Sequence, residues 1–170
     1  MIIAGSIQKF AIVAKVERTA PGWIWGSFKF VFQGRDCGNW NDAASLGGCC
    51  GWLKDFAEKH VNRFEPGLFE LPPIDVFERL VCSVIVQENR PCSLAVYERT
   101  YSRFHITHLG SSSFDQITMV LMESSEFQRC VWSESKENGF HDYIFPAGHM
   151  QEVALDFCRR FEQQVAALSV

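Results

Sequence analysis

Apolar side chains recur every three or four residues through the last part of the chain, after Pro146, Ala147 and Gly148. This spacing places them along one side of an α-helix. The positions are Met150, Val153, Ala154, Phe157, Cys158, Phe161, Val165 and Leu168. We therefore predict a long C-terminal helix that buries this side against the rest of the protein.

Two segments near the N-terminus have the composition of β-strands. Residues 7–17 and 23–32 are rich in β-branched and aromatic side chains, and the turn-forming residues Pro21 and Gly22 lie between them. We predict that the two strands pair antiparallel as a hairpin. In the second half, residues 94–98, 103–109, 116–122, 129–133 and 140–145 are further candidates for short strands.

Two more helices are predicted between these strand regions. Residues 52–61 have apolar and charged side chains at helical spacing. Gly47, Gly48 and Gly51 lie directly before this pattern, where the helix would begin. Each glycine inside a helix costs about 1 kcal/mol, so we expect a break or kink there. Residues 74–84 follow Pro73, which suits a first helical turn. Together the elements predict one α+β domain over residues 1–170, mainly an antiparallel sheet with two or three helices packed on it.

Composition narrows the functional classes. The net charge is −4, and all of the acidic excess lies in residues 86–170, which hold seven basic and eleven acidic side chains. Direct binding of nucleic acid needs clustered cations, so it is disfavoured. The apolar runs are far shorter than the roughly 20 residues of a membrane span, and the first residues lack the pattern of an export signal. We expect a cytoplasmic protein without a membrane contact.

The sequence offers little support for catalysis, a metal or a cofactor. The seven cysteines include no C-x-x-C pair, and a strand would place His105 and His108 on opposite faces. Cys82, Cys130 and Cys158 lie in apolar patterns typical of buried structural thiols. We therefore predict no catalytic residue, no metal ligand and no cofactor, with a small cysteine-dependent enzyme and a ligand-binding or scaffold domain as the alternatives.

One group of acids falls within the predicted sheet of the second half. Only Arg129 and Lys136 oppose it there. The acids are Asp115, Glu123, Glu126, Glu134, Glu137 and Asp142. A solvated sheet face explains such a set, and so does a negative surface that attracts a basic partner. Trp132, Tyr143 and Phe145 are interleaved with the acids and would anchor an interface if they were exposed.

Short segments along most of the chain resemble bacterial polymorphic-toxin immunity proteins of the family numbered forty-two. In the first half they include Phe10-Ala11-Ile12, Gly38-Asn39-Trp40 and Leu71-Pro72-Pro73. In the second half they include Phe114-Asp115, Val131-Trp132 and the closing stretch from Phe140 to Gly148. The chain departs from the pattern at residues 47–51 and 86–101.

The resemblance implies a binding protein and no catalytic residue. Families of this kind are encoded beside a toxin, often a nuclease delivered by contact-dependent growth inhibition, and they protect the producer by binding it. The expected partner is therefore the C-terminal domain of a cognate toxin, a basic nuclease. The candidate toxin-binding residues are Asp115, Glu123, Glu126, Trp132, Glu134, Glu137 and Asp142.

Overall fold

The structure is a computed structural model that describes residues 1–20, 22–59, 61–82, 102–106, 112–134 and 139–168. The chain divides into two compact units. The first comprises Met1–His60, His108–Gln116 and Gly148–Val170, and the second comprises Val61–Thr107 and Ile117–Ala147.

The first unit contains an antiparallel sheet of five strands. They are β1 (Ile2–Gly5), β2 (Phe10–Ala20), β3 (Trp23–Phe32), β4 (Arg35–Cys37) and β5 (Ala44–Ser45). The order is β1-β2-β3-β4, and β5 pairs with β3. The predicted hairpin is confirmed: Phe10 lies opposite Phe32 and Ala20 opposite Trp23, with a register shift between Val16 and Arg18.

Two helices complete the first unit. They are α1 (Leu46–Glu58) and the predicted C-terminal helix, which we label α3 (His149–Leu168). The ring of Phe157 on α3 packs edge-on against Phe28 of β3, with ring centroids 5.5 Å apart. Phe10, Phe28 and Phe30 are fully buried, so alternate residues of the long strands form a largely aromatic core.

The predicted break at the glycines of α1 is wrong. The helix runs without interruption from Leu46 to Glu58, through Gly47, Gly48 and Gly51. Ser45 stabilises its first turn, because the Ser45 hydroxyl accepts a hydrogen bond from the amide of Gly48 at 3.4 Å. The cap and the buried Leu46, Leu53 and Phe56 outweigh the low helix propensity of the glycines.

The second unit combines a three-stranded antiparallel sheet with a short helical segment. The strands are β6 (Thr118–Glu123), β7 (Phe127–Ser133) and β8 (His141–Pro146), in the order β6-β7-β8. The helix α2 (Pro73–Phe77) continues into a π-helical turn, Glu78–Cys82. The hydrophobic core of the second unit contains Leu68, Val76, Phe77, Leu80, Val81, Phe104, Val120, Met122 and Val131.

The α+β class, the antiparallel pairing and the long C-terminal helix are confirmed, with the strands divided between two sheets. The predicted strand at residues 103–109 is wrong where it is described. Residues 102–104 are helical, and His105 forms only an isolated bridge with Val120. The predicted strand at residues 94–98 and the end of the helix predicted for residues 74–84 lie outside the described residues.

Within the described part of the chain, no helix has both the length and the apolar character needed to cross a membrane.

Candidate functional site

A buried arginine organises the second unit around β8. Arg129 of β7 is 5% exposed, and its Nε and Nη2 atoms donate to Oδ2 of Asp142 on β8 at 3.0 and 2.8 Å. Its Nη1 atom donates to the carbonyl oxygens of Phe69 and Leu71, each at 2.7 Å. A buried guanidinium needs such partners, because its charge is otherwise costly to remove from water. Arg129 thus fixes β8 to the segment that precedes α2.

The face of β7 and β8 that carries this ion pair has an exposed margin. Ile144 lies opposite Arg129 and is 47% exposed, while Phe127 lies opposite Pro146 and is 44% exposed. Asp142 shares this face two residues before Ile144, since side chains alternate along a strand. The backbone carbonyl of the exposed Glu126 accepts a hydrogen bond from the amide of Ala147 at 2.9 Å, which places Glu126 beside the end of β8. We call Glu126, Phe127, Asp142, Ile144 and Pro146 the β8 surface.

The β8 surface combines apolar contact area with two exposed carboxylates, of which Asp142 is paired with Arg129. Phe127 and Ile144 are diagonal neighbours across the two strands, because Phe127 pairs with Pro146 and Arg129 pairs with Ile144. Diagonal neighbours are close enough for large side chains to form a shared surface. Apolar anchors beside charged groups are typical of protein interfaces.

Glu123 lies away from this margin, in an internal network. Its carboxylate accepts a hydrogen bond from Nε2 of Gln128 at 2.8 Å and lies 3.9 Å from Nη1 of Arg63. Burial lowers the pKa of Arg63, and the negative charge of Glu123 partly offsets that effect. The predicted binding residue Glu123 therefore holds a buried cation in this structure.

The aromatic residues interleaved with the acids are not exposed anchors. Trp132 is only 2% exposed, and its ring centroid lies 5.4 Å from that of His141. Phe145 is also buried, and Tyr143 is half-buried with its ring centroid 5.7 Å from that of Phe145. Trp132 was predicted as an anchor on the condition of exposure, and its burial places it in the core instead.

The remaining candidates are dispersed. Glu134 is half-buried just after β7. Asp115 is exposed, but it belongs to the first unit, where it follows the short 3-10 turn Ser112–Phe114. Glu137 lies outside the described residues. Of the six predicted residues that the structure describes, only Glu126 and Asp142 lie at the β8 surface.

The division into units reproduces the charge asymmetry seen in the sequence. The first unit contains nine basic and nine acidic residues, whereas the second contains seven basic and eleven acidic residues. The whole net charge of −4 therefore belongs to the unit that carries the β8 surface. A positively charged partner would be attracted to this unit first.

Sequence reasoning missed a groove in the first unit. Its volume is about 560 Å³, and it lies between the end of the β2–β3 hairpin, the start of α1 and the last turns of α3. Its lining includes Gly47, Gly48, Phe161 and Leu168. Trp23, which is 58% exposed, also lines it and stacks on Trp25 with ring centroids 6.0 Å apart. Trp23 and Trp25, at alternate positions directly after a turn, are the sequence feature that could have indicated the groove.

Cys49 and Cys130 are poor nucleophiles because they are buried. Burial raises the pKa of Cys49 to about 12, and it raises the pKa of Cys130 well above the ordinary value. Neither forms the thiolate required for nucleophilic attack near neutral pH. Among the residues that the structure describes, no three His, Cys, Asp or Glu side chains are grouped to hold a metal ion.

Comparison with known proteins assigns the chain to a family. The family model described as Immunity protein 42 matches residues 1–159. The fold is similar to that of CdiI from Burkholderia dolosa AUO158, with a TM-score of 0.71 and 16% sequence identity over 94% of this chain and 99% of that one. No curated protein matches the chain. Because the family match spans nearly the whole chain, this protein belongs to the immunity protein 42 family.

Proposed function

We propose that this protein is an immunity protein that binds the C-terminal domain of a cognate toxin and neutralises it without catalysing a reaction. The match of residues 1–159 to an immunity protein family carries the proposal. Because the match runs through both compact units, we treat residues 1–170 as one immunity domain. Its place of action is the cytoplasm of the toxin producer, where a delivered toxin would reach its target.

The β8 surface is the proposed toxin contact. Ile144 and Phe127 supply exposed apolar area, which stabilises a complex when it is removed from water. Asp142 and Glu126 supply carboxylates for lysine or arginine side chains of the toxin. Arg129 holds Asp142 in position before binding, so little side-chain freedom is lost there when the complex forms.

The partner that best fits this surface is a basic nuclease domain delivered by contact-dependent growth inhibition. The resemblance to CdiI of Burkholderia dolosa supports a place in such a system, and the acidic excess of the second unit supports a basic partner. A nuclease binds phosphate through a positively charged groove. Carboxylates over that groove would pair with its cations and exclude the nucleic acid. Glu134, Asp115 and Glu137 remain predicted contributors.

Co-expression in a sensitive host tests the proposal. The toxin C-terminal domain encoded immediately upstream is expressed alone and together with this protein, and growth and the integrity of cellular DNA and RNA are followed. We expect the toxin alone to arrest growth and degrade nucleic acid, and both effects to disappear with the immunity protein present. If the toxin alone arrests growth without degrading nucleic acid, and this protein restores growth, only the nuclease assignment is rejected. Continued arrest in the presence of folded immunity protein would reject immunity itself.

A further inference from the structure

Two cysteines meet between the helices of the first unit. The Cys158 thiol on α3 lies 3.3 Å from the carbonyl oxygen of Cys50 on α1 and donates a hydrogen bond to it. The two thiol groups are also close enough to shift each other's pKa. Both are free thiols, and they are 108 positions apart in the sequence. The fold therefore places two distant sulfur atoms within reach of each other.

The contact makes the two thiols unequal. Contact with the Cys158 thiol lowers the pKa of Cys50, burial opposes this, and the charges of Lys54 and Glu162, which pair with each other, act in opposite directions. The same contact raises the pKa of Cys158, and burial adds to that rise. Cys50 is thus the better nucleophile of the pair, while Cys158 stays protonated beside it. A low-pKa thiol next to a second thiol is the arrangement that redox-sensitive cysteines use.

We propose that Cys50 and Cys158 are an oxidisable pair, in which a peroxide converts the two thiols into a disulfide that links α1 to α3. The sulfur of Cys50 attacks one oxygen of hydrogen peroxide, the O–O bond breaks, and Cys50 becomes a sulfenic acid while one water is released. The sulfur of Cys158 then attacks the Cys50 sulfur, the S–O bond breaks, and a second water leaves with the Cys158 proton. The two thiols lose two electrons, and the peroxide accepts both.

The other cysteines whose side chains the structure describes are fully buried, including Cys37 in β4. Cys49 adjoins Cys50 in α1 but is fully buried, and burial raises its pKa to about 12. Cys130 belongs to the second unit and is fully buried as well. Cys50 is buried too, but its 5% exposure exceeds that of the other cysteines with described side chains, so it is the thiol among them that is most open to a small oxidant. Selective reaction at Cys50 is therefore expected.

The disulfide would link the two helices that form one side of the groove. Gly47 and Gly48 of α1 and Phe161 of α3 all line it. A cross-link between residues so far apart in sequence restricts the unfolded chain strongly. On oxidation we expect the Tm of the protein to rise by about 10 °C.

Peptide mapping of the intact protein tests the pairing. The reduced protein is freed of reductant, treated with hydrogen peroxide, and digested without reduction after the remaining thiols are blocked. We expect one cross-linked species that joins the peptides of Cys50 and Cys158, about 2 Da lighter than the sum of the two reduced peptides. Sulfinic acid at Cys50, or a disulfide between Cys50 and any other cysteine, would overturn the proposal.

Three variants provide the control. Cys50→Ser and Cys158→Ser should each lose the cross-link and the rise in Tm, whereas Cys49→Ser should retain both. Circular dichroism before oxidation establishes that each variant is folded. Cys49 and Cys50 fall in one peptide, so fragment-ion sequencing of the cross-linked species from the unmodified protein assigns the disulfide to one of them, whether or not each variant folds. A cross-link that survives in Cys158→Ser would contradict the proposed pair.

Discussion

Arg129 and Asp142 form a hydrogen-bonded ion pair across β7 and β8, with Arg129 Nη2 2.8 Å from Asp142 Oδ2. The same guanidinium binds the carbonyl oxygens of Phe69 and Leu71. One buried side chain therefore connects an exposed carboxylate of the β8 surface with the chain segment before α2. The contacts of Arg129 should therefore stabilise the fold. Exposed residues of the β8 surface can be replaced separately to test binding.

Replacement of Arg129 by Ala should destabilise the protein. Two backbone carbonyls and Asp142 lose their donor, and the expected loss in the free energy of unfolding is about 2–4 kcal/mol. Urea-induced unfolding measures it. Arg160→Ala is the matched control, because Arg160 pairs with Asp156 on the exposed side of α3 and should change stability by less than about 1 kcal/mol. Equal losses for the two variants would contradict the organising role of Arg129.

Ile144→Ser should weaken toxin binding with little effect on folding. The side chain is 47% exposed in the free protein, and burial of such an apolar anchor in an interface commonly contributes enough for a 10- to 100-fold change in Kd, roughly 1–3 kcal/mol. Leu155→Ser is the control, since Leu155 is similarly exposed but lies on α3 of the first unit. If the two variants bind the toxin domain equally well, the β8 surface is not the contact.

Glu126→Lys should slow association with a basic toxin domain. Reversal of one charge at the rim of an interface acts mainly on the association rate, and the effect is screened by salt. We expect a several-fold slower rate at low ionic strength and a weaker salt dependence, measured by stopped-flow fluorescence. Glu58→Lys carries the same charge change on the first unit and should leave the rate nearly unchanged. Equal slowing by both variants would indicate only a net-charge effect.

Two glycines should respond to alanine in opposite directions. Gly51 lies inside α1, and a Cβ atom there would meet no neighbouring atom within 4 Å, so Gly51→Ala should stabilise the protein by about 0.5–1 kcal/mol. A Cβ at Gly26 of β3 would lie 1.8 Å from the carbonyl oxygen of Lys15. Gly26→Ala should therefore destabilise by about 3 kcal/mol or more. Thermal unfolding compares them, and a loss of stability in Gly51→Ala would show that this glycine has another structural role.

The C-terminal helix shows what periodicity can predict. The apolar repeat identified α3, and Met150, Phe157 and Phe161 are buried as the pattern requires. Val165 is only half-buried and Leu168 is exposed, although both continue the repeat. Periodicity describes one face of a helix and contains no information about where the surface it packs against ends. The last turns of α3 line the groove instead.

The sequence predicted acidic residues of the candidate site but not which neighbouring side chains are buried. Glu126 and Asp142 were among the predicted acids, whereas the exposed Ile144 was not predicted, because alternation along β8 separates two faces without telling which of them is exposed. The role of Glu123 depends on a residue distant in sequence. Arg63 lies 60 positions before Glu123, and no local pattern predicts their approach. Likewise, the continuity of α1 depends on the Ser45 cap and on buried contacts, which local propensity does not include.

The central claim is that this protein neutralises a toxin by binding it, and isothermal titration tests that claim most directly. The purified protein is titrated with the purified C-terminal domain of the toxin encoded immediately upstream, in a catalytically inactive form. We predict a complex of one molecule with one molecule and a Kd of about 1 nM or lower, since even a few free toxin molecules would be harmful. No detectable complex at micromolar concentrations of two folded proteins would contradict the account.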